Sequence, residues 1–153
     1  MEIKFTVPAI PVAQPRQRHR VATINGRAMS MNYTPAKDPV NNFKATVKMA
    51  AAQVLQGPPM SGPLRVDLVF VFPRQKAKVW KSKPMPRYFH VGKPDRDNLA
   101  KSLQDALNGL AWVDDAQICA GSIEKYHAAG DEQPHCLVTI KEIEAEPTLF
   151  RVK

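Results

Sequence analysis

Apolar and polar residues alternate over Glu2–Val7, with Ile3, Phe5 and Val7 on one side, and Pro8 ends the run. That is the period of a half-buried β-strand. Val21–Ile24 and Arg27–Met31 flank Asn25-Gly26, a dipeptide that tolerates the left-handed backbone of a type I′ turn, so a β-hairpin is predicted there. Asp38-Pro39 reads as an N-cap followed by the first helical residue. Val40, Phe43, Val47, Ala51 and Val54 then recur at helical spacing until Gly57-Pro58 stops the helix. Leu64–Phe72 is dense in apolar and β-branched residues and predicts a mostly buried strand. Pro73–Gly92 has no period of its own; a connection of that length is usually functional or mobile. A second helix is expected from near Asp97 to Asn108-Gly109, with Leu99, Leu103, Ala106, Leu107 and Leu110 as its core-facing stripe. Ile118–Tyr126 and Cys136–Ile143 are the last strands, and a turn through Gly130-Asp131 would join them as a terminal hairpin. Glu144–Lys153 reads as a tail. The order β, β-hairpin, α, β, α, β, β predicts an α+β fold, a small mixed β-sheet with two helices. No linker or repeat divides residues 1–153, so one domain is expected.

At 153 residues, 44% apolar and 24% charged, the chain can bury a real core. No apolar run approaches the ~20 residues that span a bilayer. Met1–Phe5 lacks the basic and long apolar regions of a secretory signal. Cys119 and Cys136 are too few for a disulfide framework, so reduced thiols and a cytoplasmic protein are expected. The net charge is +8, and its placement says more than its total. Residues 11–37 carry Arg16, Arg18, Arg20, Arg27 and Lys37 without an acid. Residues 74–93 carry Arg74, Lys76, Lys78, Lys81, Lys83, Arg87 and Lys93, again without one. Such runs neutralise phosphates and release counterions, which points to nucleic acid. The second run also holds Trp80, Tyr88 and Phe89. Aromatics among cations stack on exposed bases, or else pin the loop to the body; the sequence leaves both open.

Against this basic background the acids gather. Asp95 and Asp97 flank one residue, Lys101 and Asp105 follow at intervals of four, and Asp114-Asp115 come next. Carboxylates brought together repel, so a fold rarely gathers them without a compensating cation. In an extended segment Asp95 and Asp97 would face the same side, and Asp97 would also suit an N-cap. Asp97, Lys101 and Asp105 should share one helix face, distinct from the leucine stripe. Asp114-Asp115 rejoin them only if the chain returns toward the start of the helix. Mg2+ held by Asp95, Asp97 and one of Asp114 and Asp115 would polarise a scissile phosphate and acidify a bound water. Lys101 would stabilise the developing charge or orient the water. The plainer roles are a cap for Asp97, a salt bridge for Lys101 and a turn for Asp114-Asp115. Cys119, His127, His135 and Cys136 match no common zinc spacing. No phosphate-binding glycine loop is present, so no nucleotide cofactor is expected.

Lys93-Pro94-Asp95-Arg96-Asp97-Asn98-Leu99-Ala100-Lys101, Asp105-Ala106-Leu107-Asn108-Gly109 and Val113-Asp114-Asp115-Ala116-Gln117-Ile118 together resemble the signature of the RusA family of Holliday-junction resolvases. The resemblance implies a RusA-like fold and a homodimeric endodeoxyribonuclease, dependent on Mg2+ or in its place Mn2+. It implies paired symmetric nicks in four-way junctions during recombination and repair. Residue by residue it implies catalytic Asp95, Asp97, Asp115 and Lys101, with Asp114 beside Asp115 as a further metal-ligand position. Arg16, Arg18, Arg20, Arg74, Lys76, Lys78, Lys81, Lys83, Arg87 and Lys93 would hold the DNA arms, and Tyr88 and Phe89 would stack at the opened crossover. The 73–92 loop is longer and more basic than the family pattern. Two other functions fit the residues: a basic DNA-binding accessory protein without activity, and a nuclease of other branched DNA.

Overall fold

The computed structural model describes residues 1–16 and 18–144. Its strands are β1 (Glu2–Val7), β2 (Arg18–Ile24), β3 (Arg27–Tyr33), β4 (Leu64–Phe72), β5 (Tyr88–Phe89), β6 (Ile118–Ala120), β7 (Ile123–His127) and β8 (His135–Glu142). Two α-helices join them, α1 (Pro39–Ala52) and α2 (Arg96–Leu107). The chain is therefore α+β, as its periodicities predict.

The apolar run of β4 decides the topology. Leu64, Val66, Leu68, Phe70 and Phe72 are buried on one face, and Val71 is buried on the other. The other face is only partly covered, with Arg65 exposed and Asp67 and Val69 half-buried. The order is β1-β8-β4-β7-β5, with β6 also beside β4. β8 runs antiparallel to β1 and β4, whereas β6 and β7 run parallel to β4. Both helices pack over the face that carries Phe5, Val7, Cys136, Val138 and Ile140. From α1 come Val40, Phe43, Val47 and Ala51; from α2 come Leu99, Leu103, Ala106 and Leu107. Each fully buried side chain of this kind contributes about 1.5–3 kcal/mol.

Three expectations are corrected. The last two strands form no terminal hairpin, because β4 lies between β7 and β8. The single strand expected over Ile118–Tyr126 is two strands that break at Gly121. There φ is 148° and a Cβ would sit 1.8 Å from the Val66 carbonyl oxygen, so only glycine lets the chain press so close to β4. The helical stripes are also shorter than expected: Val54 lies past the end of α1 and is exposed, and Leu110 lies past the end of α2 and is half-buried. Asn25 and Gly26 take φ of 50° and 77°, making the expected turn between β2 and β3. That pair forms a separate two-stranded ribbon. The 73–92 segment holds a 3-10 turn (Lys76–Lys78) and the edge strand β5. Of the expected tail, Glu144 is exposed, and residues 145–153 lie outside the described residues. No helix among the described residues is long and apolar enough to cross a membrane.

Candidate active site

Three aspartates occupy positions just before a helix, and they differ in what they do. Asp38 accepts the Val40 N–H at 2.9 Å, and Asp114 accepts the Ala116 N–H at 3.1 Å. Asp95 is the N-cap residue of α2, yet its side chain makes no capping hydrogen bond. Asp97 lies exposed in the first turn. Neither carboxylate enters an ion pair among the described residues. The preceding turn is held by Lys125, whose Nζ donates to the carbonyls of Gly92 at 2.7 Å and Pro94 at 2.8 Å. The positive end of the helix dipole eases the repulsion between the two acids. Two unspent hard oxygen donors suit Mg2+, which binds through one or two carboxylates plus phosphate oxygens.

One turn further on, the polar face of α2 opens into a cleft. Asn98, Lys101 and Asp105 recur at i, i+3 and i+7, opposite the buried stripe of Leu99, Leu103 and Ala106. Lys101 forms no salt bridge with Asp97 or Asp105 among the described residues; Asp105 instead faces Lys44 at 4.0 Å. The chain entering β2 is pinned beside this face. Gln14 N–H donates to the Asn98 carbonyl at 3.0 Å, and Ser102 Oγ donates to the Val12 carbonyl at 2.6 Å. The base of the ribbon therefore stands opposite α2, and Arg16, His19 and Asn32 complete a cleft of about 480 Å3 with Asn98, Lys101 and Asp105.

Asp114 and Asp115 lie elsewhere. Asp114 caps the 3-10 turn Asp115–Gln117, with Gln117 Oε1 accepting the Asp114 N–H at 2.8 Å. The Asp115 N–H donates to Asn108 Oδ1 at 3.0 Å, which fixes it at the C-terminal end of α2. A helix of 12 residues separates that end from Asp95 by about 18 Å. The connection does not return because Gly109 N–H bonds the Trp112 carbonyl at 2.8 Å, closing a tight local turn. The Ala116 N–H holds the Asp114 carboxyl below its ordinary value. Its hydrogen bond with Asp114, slight burial and the charges of Asp114 and Asp105 push Asp115 up. Among the described residues no three or more His, Cys, Asp and Glu side chains stand close enough to hold a metal. One chain thus sets Asp95 and Asp97 two residues apart at the start of α2 but does not bring Asp115 or Asp114 to them, contrary to the convergence expected from the spacing. Arg96 and Asp97 are already helical, so the extended pairing expected of the two acids is not formed, and the cap position falls on Asp95 rather than Asp97.

The cationic segments divide by what engages them. Arg74 is a clamp: its guanidinium donates to the carbonyls of Lys78 (2.7 Å), Pro86 (2.7 Å) and Ala128 (3.1 Å). Arg87 is bound bidentately by Glu132, which holds the Glu132 carboxyl below its ordinary value. Lys76, Lys78, Lys81, Lys83, Lys93, Arg16, Arg18 and Arg20 are exposed. Among the aromatics, Trp80 Nε1 donates to the Pro84 carbonyl at 3.2 Å. Tyr88 stacks on His127 at 4.7 Å and donates to Gln75 Oε1 at 3.0 Å, so both rings pin the loop. Phe89 lies flat on Tyr126 at 4.9 Å and is 67% exposed, leaving one face open.

Sequence reasoning missed Lys125, His19 and Asn32. His19 and Asn32 are direct cross-strand partners, a pairing legible once the turn fixes the hairpin register. Lys125 carries no local signal.

The family model described as Endodeoxyribonuclease RusA matches residues 8–141. The chain is also 34% identical over 149 residues to the Uncharacterized protein YqaN of Bacillus subtilis (strain 168). That alignment covers 94% of this chain and 98% of the relative. The matched span contains the ribbon and both ends of α2.

Proposed function

This chain belongs to the endodeoxyribonuclease RusA family, and from that premise we propose that it is a Mg2+-dependent nuclease that resolves four-way DNA junctions as a homodimer in recombination and repair. The observation that carries the reading is the pair Asp95 and Asp97, placed at the start of α2 with neither capping bond nor ion pair among the described residues.

In this reading Asp95 and Asp97 hold the ion, with DNA phosphate oxygens completing its shell; Mn2+ would serve in the same place. When bound, the ion polarises the scissile phosphate and acidifies a water. Lys101 sits one turn along and neutralises charge that develops on the phosphate. A water oxygen forms the new bond to phosphorus as the P–O3′ bond breaks, leaving a 5′-phosphate and a 3′-hydroxyl. Asp115 acts through the dimer: Asp115 of the partner subunit approaches the Asp95–Asp97 pair, and Asp114 caps the turn that presents it. Two-fold symmetry suits a junction with two equivalent strands to cut. Arg16, Arg18, Arg20 and the exposed lysines of the 76–93 segment hold the arms, with Phe89 offering its open face to a base. The exposed thiol of Cys119 fits a reducing cytoplasm.

A second reading, a DNA-binding accessory protein without activity, is favoured by the lack of a three-carboxylate site among the described residues of one chain. Labelled four-way junctions, flaps and forks incubated with Mg2+ or EDTA separate the two. Wild type should nick the four-way junction foremost and only with the metal, and Asp97→Asn should bind the junction yet cut at least about a hundredfold more slowly. Cleavage by Asp97→Asn at the wild-type rate would overturn the site, and binding without any cleavage by wild type would favour the accessory reading.

A further inference from the structure

The β2–β3 ribbon stands apart from the core. All of its residues except the half-buried Ala22 are exposed. A lone two-stranded ribbon is at best marginally stable in water, so apolar side chains held out on it call for a partner. The register sorts its residues onto two faces. His19, Val21, Thr23, Ala28, Ser30 and Asn32 share one face, of which His19 and Asn32 line the cleft beside Lys101 while Val21 further out is 72% exposed. The outer face carries Ile24 (46% exposed), Met29 (49%), Met31 (39%) and Tyr33 (39%). Arg18, Arg20 and Arg27 share that face, and the Arg20 guanidinium lies 5.8 Å from the Tyr33 ring centroid.

Charge chooses the partner. Residues 11–37 contain no acid, so the same face of a second copy would set arginines against arginines, whereas a polyanion complements it. The apolar residues narrow the choice further. Methionine and isoleucine are the types that DNA-bending proteins wedge between base steps, and a two-stranded ribbon is narrow enough to enter the major groove. Unstacking costs least where stacking is already interrupted, as at a branch point. Tyr88 is consumed inside its loop, and Phe89 has one face covered by Tyr126, so Phe89 can cap a base but not enter a stack with both faces free.

We infer that the outer face of the ribbon, through Ile24, Met29 and Met31, inserts at the DNA branch point and props the crossover open while Arg18, Arg20 and Arg27 grip the flanking phosphates. The inference rests on the reading of the protein as a branched-DNA nuclease, and adds the element that recognises the branch. The test uses a four-way junction with 2-aminopurine at the crossover, in EDTA so that nothing is cut. Wild type should raise the fluorescence severalfold. The variant Ile24→Ser/Met29→Ser/Met31→Ser should abolish the rise and lower the junction-over-duplex preference about tenfold, with duplex affinity kept by the arginines. Circular dichroism checks the fold, and Met29→Ser and Met31→Ser made separately give the same reading if the triple variant is unfolded. Retention of the rise by the serine variants overturns the inference. So does conversion of a dimer to a monomer, which would make the ribbon an interface between copies. Wild type that binds and cuts junctions without a rise sinks the wedge alone; wild type that neither binds nor cuts them sinks the nuclease reading with it.

Discussion

Asp38 and Asp95 occupy the same position before their helices, yet only Asp38 spends its carboxylate on the backbone. Asp38→Ala should therefore lower stability by about 1 kcal/mol, a typical N-cap loss, and Asp95→Ala should change it little; urea unfolding measures both. Lys101→Ala should slow cleavage about 10²–10³-fold at unchanged junction affinity, because Lys101 lines the cleft without an ion-pair partner among the described residues. Glu132 gives a pH signature. The hydrogen bond to Arg87 holds its carboxyl below the ordinary value of 4.5, so the stability it contributes is present above that value and is lost as pH falls through the lowered one. Arg87→Ala should cost about 0.5–1 kcal/mol at neutral pH, given partial exposure of the pair. That cost should shrink once the pH is taken below 4.5. At this scale the sequence singled out the acids and Lys101 by type and spacing, and the exposed, unpaired carboxylates of Asp95 and Asp97 among the described residues are what the structure adds. The role of Arg74 was not, since three carbonyls from distant parts of the chain define it.

Helices, hairpin and central strand were legible because each writes its own period and its own stop signals. Leu99 and Leu103 mark the buried stripe of α2, and both have no exposed surface. Leu103→Ala should cost about 2–5 kcal/mol in thermal or urea unfolding. The arrangement of the last strands was not legible. Nothing local to Ile123–His127 says that it pairs parallel with β4 rather than antiparallel with β8, and the break at Gly121 is dictated by the Val66 carbonyl. Likewise, Asp114-Asp115 stay at the far end of α2 because of a turn closed by Gly109 and Trp112, whose bond no periodicity announces.

For the whole molecule, Asp95 and Asp97 lie at one end of α2 and Asp114 and Asp115 at the other. If Asp115 serves the site of its partner subunit, Asp97→Asn and Asp115→Asn should each be inactive alone, and their mixed dimer should regain one intact site. Re-annealed mixtures should then nick one strand of the junction, whereas sites completed within single protomers would leave the mixture dead. The most direct measurement of the central claim is the anomalous density of a crystal soaked in Mn2+. A peak between the carboxylates of Asp95 and Asp97, with Asp115 of the partner subunit beside it, is the result expected. No peak there at millimolar Mn2+, or a peak seated instead on Asp105 and Asp115 of one chain, would contradict it.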